Sequence, residues 1–214
     1  MGIELRPKPI TVPQGTAPHC WAAATTSWLQ LNRTRPQLNR QQLVDRYGDP
    51  KKGGSLGHQS PKWDTWLSDL NLTISELNTL HTIDEIQRLR NIDIDNQNKK
   101  NGTNNQPITQ SEAVRLFNLQ GDMLFNATQQ LLRKKGHLLF LFAHTRSAFR
   151  GVISHMVVLF GVHRVGGEPN LIVMDPAKGA IRDLPMFEVL EKPVVNLWVR
   201  EDRTDVNFVF TEDT

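Results

Sequence analysis

The apolar pattern of the chain changes period at Gly136, which restricts it to folds whose helices and sheet come from different stretches. Before Gly136 the spacing is helical. Trp21, Ala24, Trp28 and Leu31 recur three and four apart, predicting a helix that starts near Cys20 and is entered through Pro18. A second helix is expected over 39–47, stopped by Gly48. Ser60 and Pro61 read as the cap and first turn of a third, carrying Trp63, Trp66, Leu67 and Leu70. Thr82 and Glu85 form a capping-box signature for a run to about Arg90. Residues 93–110, rich in Asn, Gln, Asp and Lys, bury almost nothing and are expected as an exposed, mobile insertion. Helical spacing resumes over 111–135, with a break expected near Gly121. After Gly136 come short apolar runs at 138–143, 152–162, 171–174, 194–199 and 206–210, separated by turn residues. Short connections make an antiparallel sheet. The expected architecture is α+β in a single domain, with a helical lobe over about 14–135 and a β lobe over about 136–214.

Several classes of function are excluded at this level. Lys and Arg (25) barely outnumber Asp and Glu (22) and are scattered among them, so no nucleic-acid face is expected. The one dense run, Arg133, Lys134 and Lys135, suits the negative end of a helix dipole. No apolar stretch is long enough to span a membrane. The first residues lack the apolar core of a signal peptide, and Arg6 stands where a myristoylation motif needs Ser or Thr. The expected location is the cytoplasm of the producing cell. A single cysteine rules out an internal disulfide and a thiolate metal cluster. His144 and His163 have no carboxylate or thiol spacing that would make a metal site with His155, so no metal or organic cofactor is expected.

That cysteine, Cys20, falls at the expected start of a helix. Unpaired backbone N–H groups and the helix dipole favour a thiolate there and can also stabilise an oxyanion. Gln14, across the loop Gly15-Thr16-Ala17-Pro18, is placed to complete such a hole. On spacing alone, a structural cysteine packed under Trp21 accounts for the same residues. The second half of the chain adds two more. His155 opens one predicted strand, Asp175 closes the next, and Val165 stands midway between them beside Gly166-Gly167. A hairpin turning there brings His155 and Asp175 together at its open end, and a carboxylate beside an imidazole fixes its tautomer and stabilises the imidazolium. Asn196 is the alternative third member.

Gln14, five residues, then Cys20-Trp21-Ala22-Ala23 resembles the active-site segment of papain-like cysteine peptidases. It is most similar to the bacterial branch that includes AvrRpt2-like effector peptidases. His155 before an apolar strand, and a strand ending Asp175-Pro176, resemble that branch and the bacteriocin-processing peptidases. The intervals from Cys20 to His155 and to Asp175 are close to the roughly 130–150 residues of papain-type enzymes. The resemblance implies a papain-like α+β fold, Gln14 in the oxyanion hole, Cys20 as nucleophile, His155 as base and Asp175 as third member, where papain has Asn. It implies a thiol peptidase that cleaves a protein substrate through an acyl-thioester. With no visible inhibitory prosegment or signal peptide, an effector or antibacterial toxin delivered by specialised secretion and restrained by a cognate immunity protein is the expected role. A papain-fold amidase, deamidase or acyltransferase with the same triad, and a non-enzymatic basic module with a structural cysteine, are the alternatives.

Overall fold

The structure is a computed structural model that describes residues 2–56, 61–76, 83–147, 151–190 and 195–199. The helices are α1 (Cys20–Leu29), α2 (Arg40–Tyr47), α3 (Pro61–Asp69), α4 (Ile83–Asn101), α5 (Gln110–Lys135) and α6 (Met186–Leu190). The strands are β1 (Ile3–Glu4), β2 (Thr73–Glu76), β3 (Leu138–Ser147), β4 (Gly151–Val165), β5 (Glu168–Asp175), β6 (Ala180–Pro185) and β7 (Val195–Val199). They form one sheet in the order β2-β7-β3-β4-β5-β6, every pairing antiparallel, with β1 extending β4 beyond the end of β3. The α+β class expected from the period change is the one observed. Ser60, Thr82 and the run at 206–210 lie outside the described residues.

The division at Gly136 is less sharp than the sequence suggests, because β1 and β2 enter the sheet from the first half of the chain. Two-residue and four-residue strands leave no periodic signal, and their pairing partners lie far away in sequence. α1 is the central packing element. Trp21 to Leu29 are all buried, and the helix lies against β3 and β4. It is tied to the rest of the molecule by Trp28, whose indole N–H donates to the carbonyl of His137 at 3.0 Å, and by Ser27, whose hydroxyl donates to Ile10 at 2.6 Å. Residues 156–162 of β4, Gly161 aside, are core residues on both faces of the strand, so β4 is covered on both sides. The helices packed against it are α1 and α5.

Two expectations are corrected here. The tract at 93–110 is not an insertion loop, because as far as Asn101 it is the second half of α4. Its polar residues are mostly exposed, while Asn91 accepts the N–H of Ile108 at 2.8 Å and Gln87 donates to its carbonyl, closing an α4–α5 hairpin. A helix with so narrow an apolar stripe has composition close to that of a loop, and only packing against α5 distinguishes the two. Nor is α5 broken at Gly121. The helix runs on from its Thr109–Glu112 capping box to Lys135, and Gly121 is a contact point against Leu190 and Pro169. Arg133, Lys134 and Lys135 do occupy its last turn, and Gly136, at φ 81°, ends it.

Candidate active site

Cys20 is the first residue of α1, and the side chain of the preceding His19 accepts no hydrogen bond from the first-turn N–H groups, which have no intrahelical acceptor either. The thiol is half-buried and unpaired, since no second cysteine exists. Behind it Trp21 is buried and meets Trp66 edge-on, their ring centres 6.2 Å apart.

His155 comes from β4 and is 6% exposed; Asp175 ends β5 and is 2% exposed. His155 Nε2 lies 2.7 Å from Asp175 Oδ1, and the imidazole also hydrogen-bonds the Cys20 thiol. With Nε2 on the carboxylate, Nδ1 is the nitrogen left for sulfur. The edge of the His155 ring stands against Phe142, the ring centres 5.6 Å apart, at the paired position on β3.

The way β4 and β5 achieve this differs from a simple hairpin count. The turn is Gly166-Gly167, both at positive φ, with Val165 paired to Glu168. If that register ran on unbroken, Asp175 would face Val158 and share its side of the sheet, the opposite side from His155. A bulge between Leu159 and Gly161 shifts the pairing by one residue, so that Val158 pairs with Met174. Asp175 therefore falls opposite Val157, on the same face as His155, and the two side chains meet as diagonal neighbours. The bulge is held in place by β1: Leu5 donates its N–H to the Phe160 carbonyl at 2.8 Å. A Cβ on Gly161 would approach the Ile3 carbonyl to 2.8 Å.

Asp175 has further partners that the sequence reading did not identify. Arg182 Nε donates to Oδ2 at 2.8 Å and the Ala177 N–H donates to Oδ1 at 2.9 Å. Arg182 lies on β6 two residues from Ala180, the residue paired with Asp175. The only sequence signal for it would have been alternation along a strand too polar to be noticed. Burial pushes the Asp175 carboxyl up, but His155, Arg182 and the Ala177 amide outweigh it and hold the group well below the usual carboxylate range. Burial likewise opposes charge on His155. Its hydrogen bonds to Asp175 and Cys20 and their negative charges prevail, raising it to about 9. The arrangement therefore favours an imidazolium beside the Asp175 carboxylate at neutral pH.

Gln14 is brought to the same end of the sheet. Its backbone N–H donates to the Pro176 carbonyl at 3.0 Å, beside Asp175, and its side-chain Oε1 is buried without a partner. Asn196 is a backbone neighbour of Leu141 on β3, whereas it is Asp175 that bonds His155. His163 lies 2.9 Å from Asp183, and no cluster of metal-ligating side chains occurs among the described residues. The side chain of His144 lies outside the described residues. No described helix is long and apolar enough to cross a membrane.

Replacing Arg182 with Met should lower turnover through Asp175 rather than through the fold. Losing one hydrogen bond to a buried charge costs roughly ten- to a hundredfold in kcat/KM. The Asp175 carboxyl then titrates at higher pH, so the acid-side loss of activity should move upward, and Arg182→Lys should recover part of both effects. A pH–rate profile of the three proteins checks this.

No protein-family model matches the sequence, and no curated protein matches it significantly. Among solved structures, the chain is similar to digestive procathepsin L 3 of the larval midgut of Tenebrio molitor. That match has 12% identity and a TM-score of 0.47, over 91% of this chain and 68% of that one. It is also similar to a structure from a study of the mite allergens Blo t 1 and Der p 1, at 13% identity and a TM-score of 0.40, over 91% and 69%. At scores below 0.5 neither likeness adds to what the geometry of the site says. That geometry defines a class: a thiol, an imidazole and a buried carboxylate joined in series at a helix N-terminus.

Proposed function

We propose that the protein is a papain-like cysteine peptidase in which Cys20 is the nucleophile, His155 the general base and acid, and Asp175 the group that orients His155. The observation that carries this reading is His155 bonded on one side to the Cys20 thiol and on the other to the buried Asp175 carboxylate. The nucleophilic form of Cys20 is the thiolate, whose proton His155 holds. The thiolate attacks the scissile carbonyl carbon, and the electron pair moves to oxygen. The first-turn N–H groups of α1, with Gln14 by resemblance, stabilise that oxyanion. His155 then protonates the leaving amine as the C–N bond breaks, leaving an acyl-thioester on Cys20. Neutral His155 next takes a proton from water, which displaces the thiolate and releases the acid. No step calls on a metal or organic cofactor.

The Cys-Trp-Ala-Ala run supports a finer reading. It points to the AvrRpt2-like and bacteriocin-processing branch, and with it to a delivered effector or antibacterial toxin that an immunity protein restrains in the producing cell. Expressed alone in a bacterial cytoplasm, the wild-type protein should arrest growth while Cys20→Ala should not. The wild type alone should also cleave a proteome-derived peptide library, read by mass spectrometry. Cleavage without arrest would leave a processing peptidase and remove the toxin reading. No cleavage by a Cys20 that alkylates rapidly would remove the peptidase reading in favour of other acyl-transfer chemistry.

A further inference from the structure

The two residues that flank Cys20 both reach the same loop. Residues 49–55 close on themselves: Asp49 donates its N–H to Ser55 at 2.9 Å and accepts from Gly54 at 2.8 Å, while its side chain caps Lys51. Between them Pro50–Lys52 makes one turn of 3-10 helix. Gly53 and Gly54 then take positive φ of 62° and 80°, a path that L side chains rarely follow. That path turns both glycine carbonyls toward α1. His19 Nε2 lies 2.9 Å from the Gly53 carbonyl, and the Trp21 indole N–H donates to the Gly54 carbonyl at 3.2 Å. The contact is close, since a Cβ on Gly54 would come within 2.5 Å of His19 Nε2. A cavity of about 350 Å³ opens here, with His19, Gly53, Gly54, Asp45 and Lys62 in its walls. A group bound in it lies against the residue next to the nucleophile.

We propose that His19 is a positioning residue, whose hydrogen bond to Gly53 holds the 49–55 loop as the wall of a substrate pocket beside Cys20. Trp21 makes the companion bond but is buried in the core, whereas His19 is partly exposed and donates to a single carbonyl. His19 is therefore the member that can be removed without opening the core. This inference rests on the peptidase reading, and its consequence is a split between binding and chemistry. Loss of the bond frees the loop and weakens substrate binding, while the Cys20–His155–Asp175 chain is untouched.

The experiment compares wild type, His19→Ala and His19→Gln, in which the Gln amide keeps an N–H for Gly53. In His19→Ala, KM for a cleaved peptide should rise roughly five- to tenfold, the equivalent of one neutral hydrogen bond, with kcat within about twofold. His19→Gln should recover most of the loss. Alkylation of Cys20 by iodoacetamide, which needs no pocket, should proceed at the same rate in all three. Amide exchange at Gly53, Gly54 and Ser55 should quicken in His19→Ala and not in His19→Gln. A fall in alkylation that parallels kcat would make His19 part of the thiol chemistry and overturn the proposal. An unchanged KM with unchanged exchange would overturn it as well. If the wild type cleaves no peptide, the peptidase reading fails separately, and the exchange rates alone decide whether His19 holds the loop.

Discussion

Purified Cys20→Ala protein is expected to lose cleavage by on the order of a millionfold, the scale of loss when a triad nucleophile is removed. Cys20→Ser should do little better, because a serine hydroxyl stays protonated at pH values where a thiol paired with an imidazolium is ionised. The fold should survive. Cys20 is only half-buried at the rim of the core, so deleting one sulfur costs about 1 kcal/mol and shifts Tm by roughly 2–4 °C. The substitution also has a signature independent of substrate. The Cys20 hydrogen bond and charge are two of the causes that raise His155, so its NMR titration midpoint should fall below about 9 in Cys20→Ala. An unmoved midpoint, or cleavage retained at a tenth of wild type, would remove Cys20 from the site.

Asp175→Asn is the second large effect. An amide can leave His155 in the wrong tautomer and cannot stabilise the imidazolium, and loss of a triad carboxylate costs about four orders of magnitude in kcat. Asn196→Ala should cost far less, because Asp175 already supplies the bond to His155. The alkaline limb of the pH–rate profile should also move down from about 9, since both the hydrogen bond and the charge of Asp175 raise His155. Stability follows the same linkage. The raised folded-state pKa of His155 gives a contribution complete below its ordinary value of 6.5 and lost as pH rises through about 9. Asp175, lowered on folding, contributes above its ordinary 3.8 and loses that contribution as pH falls through its folded value. Wild type should therefore be most stable between about pH 4 and 6.5, with a flatter profile in Asp175→Asn. Denaturant midpoints measured across pH check the slope. Asp175→Ala is the harsher variant, because it strands Arg182 and His155 around an empty buried site at a cost of roughly 3–5 kcal/mol. A large loss at Asn196 with little at Asp175 would reverse the assignment.

Much of the site was legible in the chain because its determinants are local. The α1 stripe places Cys20 at a helix start, and apolar runs on either side of a Gly-Gly turn place His155 and Asp175 at the ends of neighbouring strands. Those signals depend on residues a few positions apart, which periodicity records. Arg182 and the helical half of 93–110 were not legible, since both depend on what a polar residue happens to pack against. The bulge at Phe160 is the clearest case. The apolar run at 152–162 is equally compatible with a straight strand, in which His155 and Asp175 would sit on opposite faces. Which face they share is decided by β1 pairing with Gly161 and Val162 and by Leu5 capturing the Phe160 carbonyl. The sequence by itself pointed to Cys20, His155 and Asp175 and to the elements that bear them. Only the tertiary structure decided that they meet, because one inserted residue, held by a strand from the far end of the chain, sets the parity of the sheet.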